Sequence, residues 1–125
     1  MRWIIDGNNV MGSRPDRWWN DRPGAMARLT QEIAKWCWTH DDSVLVVFDG
    51  KSIDEVVQLS GGNLEVRFAE RAARDAADDV IVAETTDQPP PLIIVTADKG
   101  LRGRLPDTAD CEGPSSFLAR LVGGP

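Results

Sequence analysis

The chain has 125 residues, 42% hydrophobic and 27% charged, the make-up of one water-soluble globular domain spanning 1–125 and able to bury a core. No apolar run approaches the roughly 20 residues of a membrane helix. The few apolar residues before Asp6 are too short for a signal peptide and read as a first strand. The net charge of −6 excludes a broadly basic nucleic-acid-binding surface, and leaves the acids either solvated or gathered around a cation.

Taken in chain order, residues 2–6 form an apolar run stopped by Asp6-Gly7, which predicts a buried strand entering a turn. A loop rich in Arg, Trp and Asn is expected through about Arg22. Pro23 suits the first turn of a helix, and Met26, Leu29, Ile33, Trp36 and Cys37 recur at helical spacing to about His40. Cys37 and Cys111 stand far apart with no Cys-x-x-Cys pair, which argues against zinc and disulfides and makes a reducing cytoplasm the expected location.

Residues 44–48, Val-Leu-Val-Val-Phe, are apolar without a break and end at Asp49-Gly50. Such a strand belongs in the middle of a parallel sheet covered on both faces. Ser60-Gly61-Gly62-Asn63 reads as a turn and lacks the spacing and lysine of a phosphate loop. Residues 64–68 alternate apolar and charged, predicting a strand nearer the edge. A helix is expected over 75–85 with Ala77, Val80 and Ile81 inward, then a stiff Pro89-Pro90-Pro91 connector. Leu92–Val95 is a third apolar strand ended by Thr96-Ala97-Asp98, followed by a helical turn at 99–105 and a last helix near 115–122. Alternating β and α elements imply an α/β class with a mainly parallel sheet between two helical layers. There is no internal repeat.

Three apolar strands thus each end in an aspartate: Asp6, Asp49 and Asp98. In an open parallel sheet the carboxyl ends share one edge, where ligands bind, so the three can converge from distant positions. The acidic start of the 75–85 helix offers a fourth in Asp75, Asp78 or Asp79. Clustered carboxylates repel one another and make physical sense around a cation. Oxygen donors without His or Cys favour Mg²⁺ or Mn²⁺, which activate water against a phosphodiester. The plainer readings are turns at each Asp, and for Asp75 and Asp78 a helix cap close to a capping box. Asp78 and Asp79 point about 100° apart on a helix, so one of the two is expected to face the site.

The segments Asp6-Gly7-Asn8-Asn9, Val-Val-Phe-Asp49-Gly, Ala77-Asp78-Asp79-Val-Ile and Val-Thr96-Ala-Asp98-Lys99 resemble, in order, the signature of NYN domains in the PIN-like nuclease superfamily. The YacP-like branch is the nearest match, over most of the chain to about residue 105. The resemblance implies a Rossmann-like three-layer PIN/NYN fold and a metal-dependent endoribonuclease. It implies Asp6, Asp49, Asp78 and Asp98 as the acidic set, with metal on Asp6, Asp78, Asp98 or Asp79. Asn9 would orient Asp6 or contact substrate, Thr96 would support the last acid, and Asp75 would assist. Around the substrate, Asn9, Thr96, Lys99 and Arg74 are the expected residues.

Positive charge falls in three groups: Arg14, Arg17 and Arg22; Arg67, Arg71 and Arg74; Lys99, Arg102 and Arg104. All three are expected at the acidic edge, where they would guide a phosphate backbone. Trp18 and Trp19 either stack on unpaired bases or pack their loop down. Trp3, Trp36 and Trp38 are expected in the core or an interface. His40, the one histidine, stands beside two aspartates at a helix end in a capping or surface role, so a His-based triad is not expected.

The resulting reading is an endoribonuclease using Mg²⁺ or Mn²⁺ on single-stranded or flexible RNA, as a monomer or homodimer. Its rivals are an RNA- or ribosome-binding module with little cleavage, and a phosphatase or small-nucleotide hydrolase at the same edge.

Overall fold

The structure, a computed structural model, describes residues 1–70 and 75–123. Five strands, β1 (Arg2–Asp6), β2 (Ser43–Asp49), β3 (Leu64–Ala69), β4 (Leu92–Val95) and β5 (Ala109–Glu112), form one sheet in the order β3-β2-β1-β4-β5. Every neighbouring pair is parallel. The helices are α1 (Gly7–Gly12), α2 (Arg22–Cys37), α3 (Asp54–Val57), α4 (Ala76–Thr85), α5 (Lys99–Arg102) and α6 (Pro114–Gly123). None is long and apolar enough to cross a membrane.

The period of two along each strand sorts the core into two layers. Trp3, Ile5, Val44, Val46, Phe48 and Val95 pack with Val10, Leu29, Ile33 and Phe117 of α1, α2 and α6. Ile4, Leu45, Val47, Leu92 and Ile94 face the other way, onto Ala77, Ile81 and Leu101 of α4 and α5. Both faces of β1, β2 and β4 are therefore covered. This gives the expected three-layer α/β/α arrangement and explains why these strands are apolar at every position between their ends.

Three of the following local features depart from the sequence reading, and the turn at Gly50 agrees with it. Asp6-Gly7 is no turn, because β1 runs directly into α1. Gly7 is required by packing: a Cβ there would lie 2.5 Å from the Phe48 ring and 2.9 Å from the Val47 carbonyl oxygen. Gly50, by contrast, does turn the chain after β2, with φ +99°. The fifth strand, Ala-Asp-Cys-Glu, is only four residues long with no large apolar side chain and no buried residue, and it owes its strand state to its ladder with β4. Helix α2 stops at Cys37, three residues before His40.

The tryptophans divide. Trp3 meets Trp36 edge-on at 5.0 Å, and Trp36 meets Phe117 at 5.3 Å, closing one corner of the core. Trp38 is 80% exposed and outside the core, which leaves the interface alternative for it. Trp18 lies partly buried against α1 and α2, whereas Trp19 is 60% exposed and touches Trp18 edge-on. His40 accepts the Asp42 N–H at Nδ1 and meets Trp36 edge-on at 4.3 Å, a local structural role.

Candidate active site

The order β3-β2-β1-β4-β5 changes direction between β1 and β4, so the connections diverge there and leave a crevice at the carboxyl ends of the strands. A cleft of about 350 Å³ opens at that place, lined by Asp6, Asn8, Asn9, Asp49, Asp75, Asp78 and Asp98. The three strand-terminal aspartates and the helix-borne fourth do meet. Among the described residues no Lys or Arg lines the cleft.

Each strand acid is held through one oxygen. Asp6 is 5% exposed, and its Oδ2 accepts the Thr96 hydroxyl at 2.9 Å. Asp49 Oδ1 accepts the Ala77 N–H of α4 at 3.0 Å. Asp98 Oδ1 accepts the N–H groups of Gly100 and Leu101 at 2.8 and 3.2 Å, capping α5. Asp6 also accepts the Asn9 backbone N–H, while the second oxygens of Asp49 and Asp98 make no such bond among the described residues.

These bonds also correct two expectations. Asp75 occupies the N-cap position of α4 without a side-chain cap bond, so the capping-box reading fails and its carboxylate lines the cleft. The helix start is instead capped across the sheet by Asp49. Thr96 is fully buried and cannot touch substrate. It donates to Asp6 and accepts the Asp98 N–H at 3.1 Å, so it sets the relation between two acids.

The motif Asp6-Gly7-Asn8-Asn9 places a different function on each residue. Asp6 enters the cleft and Gly7 slots under Phe48. Asn8 Oδ1 accepts the Asp49 N–H at 2.6 Å, tying α1 to the end of β2. Asn9 Oδ1 accepts the Ala97 N–H at 2.8 Å, tying α1 to the end of β4, and its backbone N–H donates to Asp6. Asn9 orients the site as expected; Asn8 is a residue the sequence reading missed. Its only advance signal was a second amide side chain beside Asp6.

Asp78 and Asp79 separate cleanly. Asp78 lines the cleft, while Asp79 lies outside that lining and accepts from Arg104 Nη2 at 2.7 Å. Of the two, Asp78 therefore faces the site.

The cationic groups are less concentrated than expected. Arg67 is drawn away from the acidic edge, bonding Glu65 and, at the far end of α4, Glu84. Arg14 pairs with Glu32 at 2.6 Å, Arg22 lies over the Trp18 ring, and Arg102 donates to the Thr96 carbonyl at 2.7 and 3.0 Å. Lys99 is exposed at the start of α5 beside Asp98, outside the cleft lining. Arg71 and Arg74 lie outside the described residues.

Burial pushes the Asp6 carboxyl up to about 6, against the lowering effect of the Thr96 hydroxyl, with further upward pressure from Asp78 and Asp49. Asp78 is also raised, first by burial and then by Asp98, Asp75 and Asp49, with Arg104 opposing. The cleft is therefore short of positive charge. Its five carboxylates are oxygen ligands suited to a hard divalent cation. Among the described residues no three His, Cys, Asp or Glu side chains already stand close enough to share one ion.

The class so defined is a three-layer α/β/α domain with an acid-lined cleft at the carboxyl edge of a parallel sheet. The same fold is seen in the crystal structure of Rae1 (YacP) from Bacillus subtilis. That likeness has a TM-score of 0.75 at 18% identity, covering 98% of this chain and 74% of that one. A tryptophan-to-leucine mutant of Rae1 aligns with a TM-score of 0.74 at 20% identity, covering 98% of this chain and 75% of that one. The resemblance to the YacP-like branch read from the motifs is thus matched in three dimensions. No family model matches the chain, and no curated protein matches it.

Proposed function

We propose that the chain is a metal-dependent endoribonuclease that hydrolyses phosphodiester bonds in single-stranded or flexible RNA. The observation that supports this most is the meeting of Asp6, Asp49, Asp78 and Asp98, with Asp75, in one cleft lined by no Lys or Arg among the described residues. The likeness in fold to Rae1 (YacP) and the motif resemblance to NYN nucleases point the same way.

In this reading Asp6, Asp78 and Asp98 would hold Mg²⁺ or Mn²⁺ through the oxygens that their internal hydrogen bonds leave open. Bound there, the ion would activate water and offset charge on the phosphodiester. The proton affinity of Asp6 and Asp78 is raised first by burial and then by the neighbouring carboxylates, a strain that a bound cation would relieve as a proton does. Asp49 acts chiefly on α4, holding Ala77 and with it the turn that carries Asp78. Thr96 and Asn9 fix Asp6 from two sides. The cleft is open and shallow, so it suits a flexible strand better than the edges of a duplex.

Purified protein should cleave single-stranded RNA with Mn²⁺. Asp6→Asn and Asp98→Asn should each lower the rate by about a thousandfold, the loss of about 4 kcal/mol of transition-state stabilisation. Full activity in both variants overturns the assignment. Metal-independent RNA binding without cleavage would support a binding module instead.

A further inference from the structure

The acidic cleft adjoins a second depression of about 340 Å³, lined by Asn8, Asn9, Gly12, Ser13, Ala97 and Pro114. The two share Asn8 and Asn9. Their characters differ sharply, since five carboxylates line one and none lines the other. The second groove is lined by small and neutral residues along α1 and beside the end of β4.

The two asparagines at the junction have fixed orientations. A backbone N–H can meet only the oxygen end of a carboxamide, and both oxygens are taken, by Asp49 N–H at 2.6 Å and by Ala97 N–H at 2.8 Å. Each Nδ2 must then point the opposite way. Neither is buried without a partner, and neither donates to another group among the described residues. Two NH₂ groups are thus presented at the border of the two depressions. They are side-chain donors where no Lys or Arg lines the wall.

We propose that Asn8 and Asn9 donate Nδ2–H to the non-bridging oxygens of an RNA phosphate at this border, and that the neutral groove receives the nucleotide next to it. This rests on the endoribonuclease reading and specifies where its substrate lies. An anionic backbone is repelled by the carboxylates of the cleft except where a cation bridges them. The neighbouring phosphate therefore needs a wall without acids and with neutral donors, and the groove supplies both. Small residues at Gly12, Ser13 and Ala97 leave room for a sugar and base.

Two substitutions test this. Asn8→Asp keeps an oxygen for the Asp49 N–H and removes the NH₂ donor. Ala97→Leu keeps the backbone bond to Asn9 and fills the groove. Each should raise the KM for a uridine hexanucleotide at least about tenfold, the scale of one hydrogen bond to a charged group. Mn²⁺ affinity by calorimetry should be no weaker than in the parent protein. In nuclear magnetic resonance titrations with the hexanucleotide in Ca²⁺, the side-chain NH₂ signals of Asn8 and Asn9 should shift with the backbone amides of Gly12, Ser13 and Ala97. An unchanged KM in both variants, or shifts absent from the groove amides, overturns the subsite. Asp6→Asn separates the two levels. If it keeps full cleavage, the endoribonuclease reading falls. If it is inactive while Asn8→Asp and Ala97→Leu retain the parent KM, only the subsite falls.

Discussion

Helix α4 carries carboxylates at both ends, and the fold treats them in opposite ways. At its last turn Glu84 receives Arg2 at 3.7 Å and a closer bond from Arg67, whose other partner is Glu65. At its first turn Asp78 faces Asp6, Asp49, Asp75 and Asp98 across a cleft lined by no Lys or Arg among the described residues. One end is an ordinary structural ion pair. The other keeps charges of one sign together and leaves two of them with raised proton affinity. A fold retains such an arrangement where something other than stability requires it.

The sharpest way to break this contrast uses adjacent residues. Asp78→Asn should lower RNA cleavage by about a thousandfold, whereas Asp79→Asn, at a residue outside the cleft lining that bonds Arg104, should leave it within a few-fold. The reverse ranking in a cleavage assay would mean that the helix presents its other face to the metal.

Stability should report the same contrast with the opposite sign. A carboxyl held near 6 when its unfolded value is 3.8 favours the unfolded chain at neutral pH, by at most about 3 kcal/mol. The penalty is absent below pH 3.8 and complete above about 6, so lowering the pH through this window relieves it. Metal-free Asp6→Asn should therefore unfold at higher denaturant than the parent at pH 7, and the difference should close by pH 4. Saturating Mn²⁺ should shrink or reverse it, because only the parent gains full binding energy. A less stable Asp6→Asn protein at pH 7 would show that the Thr96 bond outweighs the desolvation of the carboxylate.

The smallest effect belongs to the paired end. Glu84→Gln should cost about 1 kcal/mol in denaturant unfolding, the scale of a partly exposed ion pair. It should leave cleavage unchanged. A large loss of activity there would mean that Arg67 positions the site through α4.

Much of this was legible in residue order because the signals were local. Val44 to Phe48 and Leu92 to Val95 are apolar throughout, which a strand covered on both faces demands, and parallel strands necessarily share a carboxyl edge. Asp6, Asp49 and Asp98 could therefore be brought together before any coordinates were seen. The edge strand Ala109–Glu112 left no such mark, since its state comes from pairing with β4 rather than from its own side chains.

The sequence by itself determined the central apolar strands, the helices over 22–37 and 76–85, the faces they bury and which acids share an edge, because those follow from periodicity and the direction of the strands. Tertiary structure decided everything that depends on a partner far along the chain. Gly7 is needed because Phe48 lies against it, and Asn8 matters because the Asp49 N–H reaches it. Thr96 is a buried bridge and Arg67 is diverted to Glu84. Asp78 rather than Asp79 faces the acids because α4 packs on the sheet through Ala77 and Ile81, which sets the side of the helix that meets the cleft. Contacts across tens of residues leave no period in the chain, so only their meeting in space reveals them.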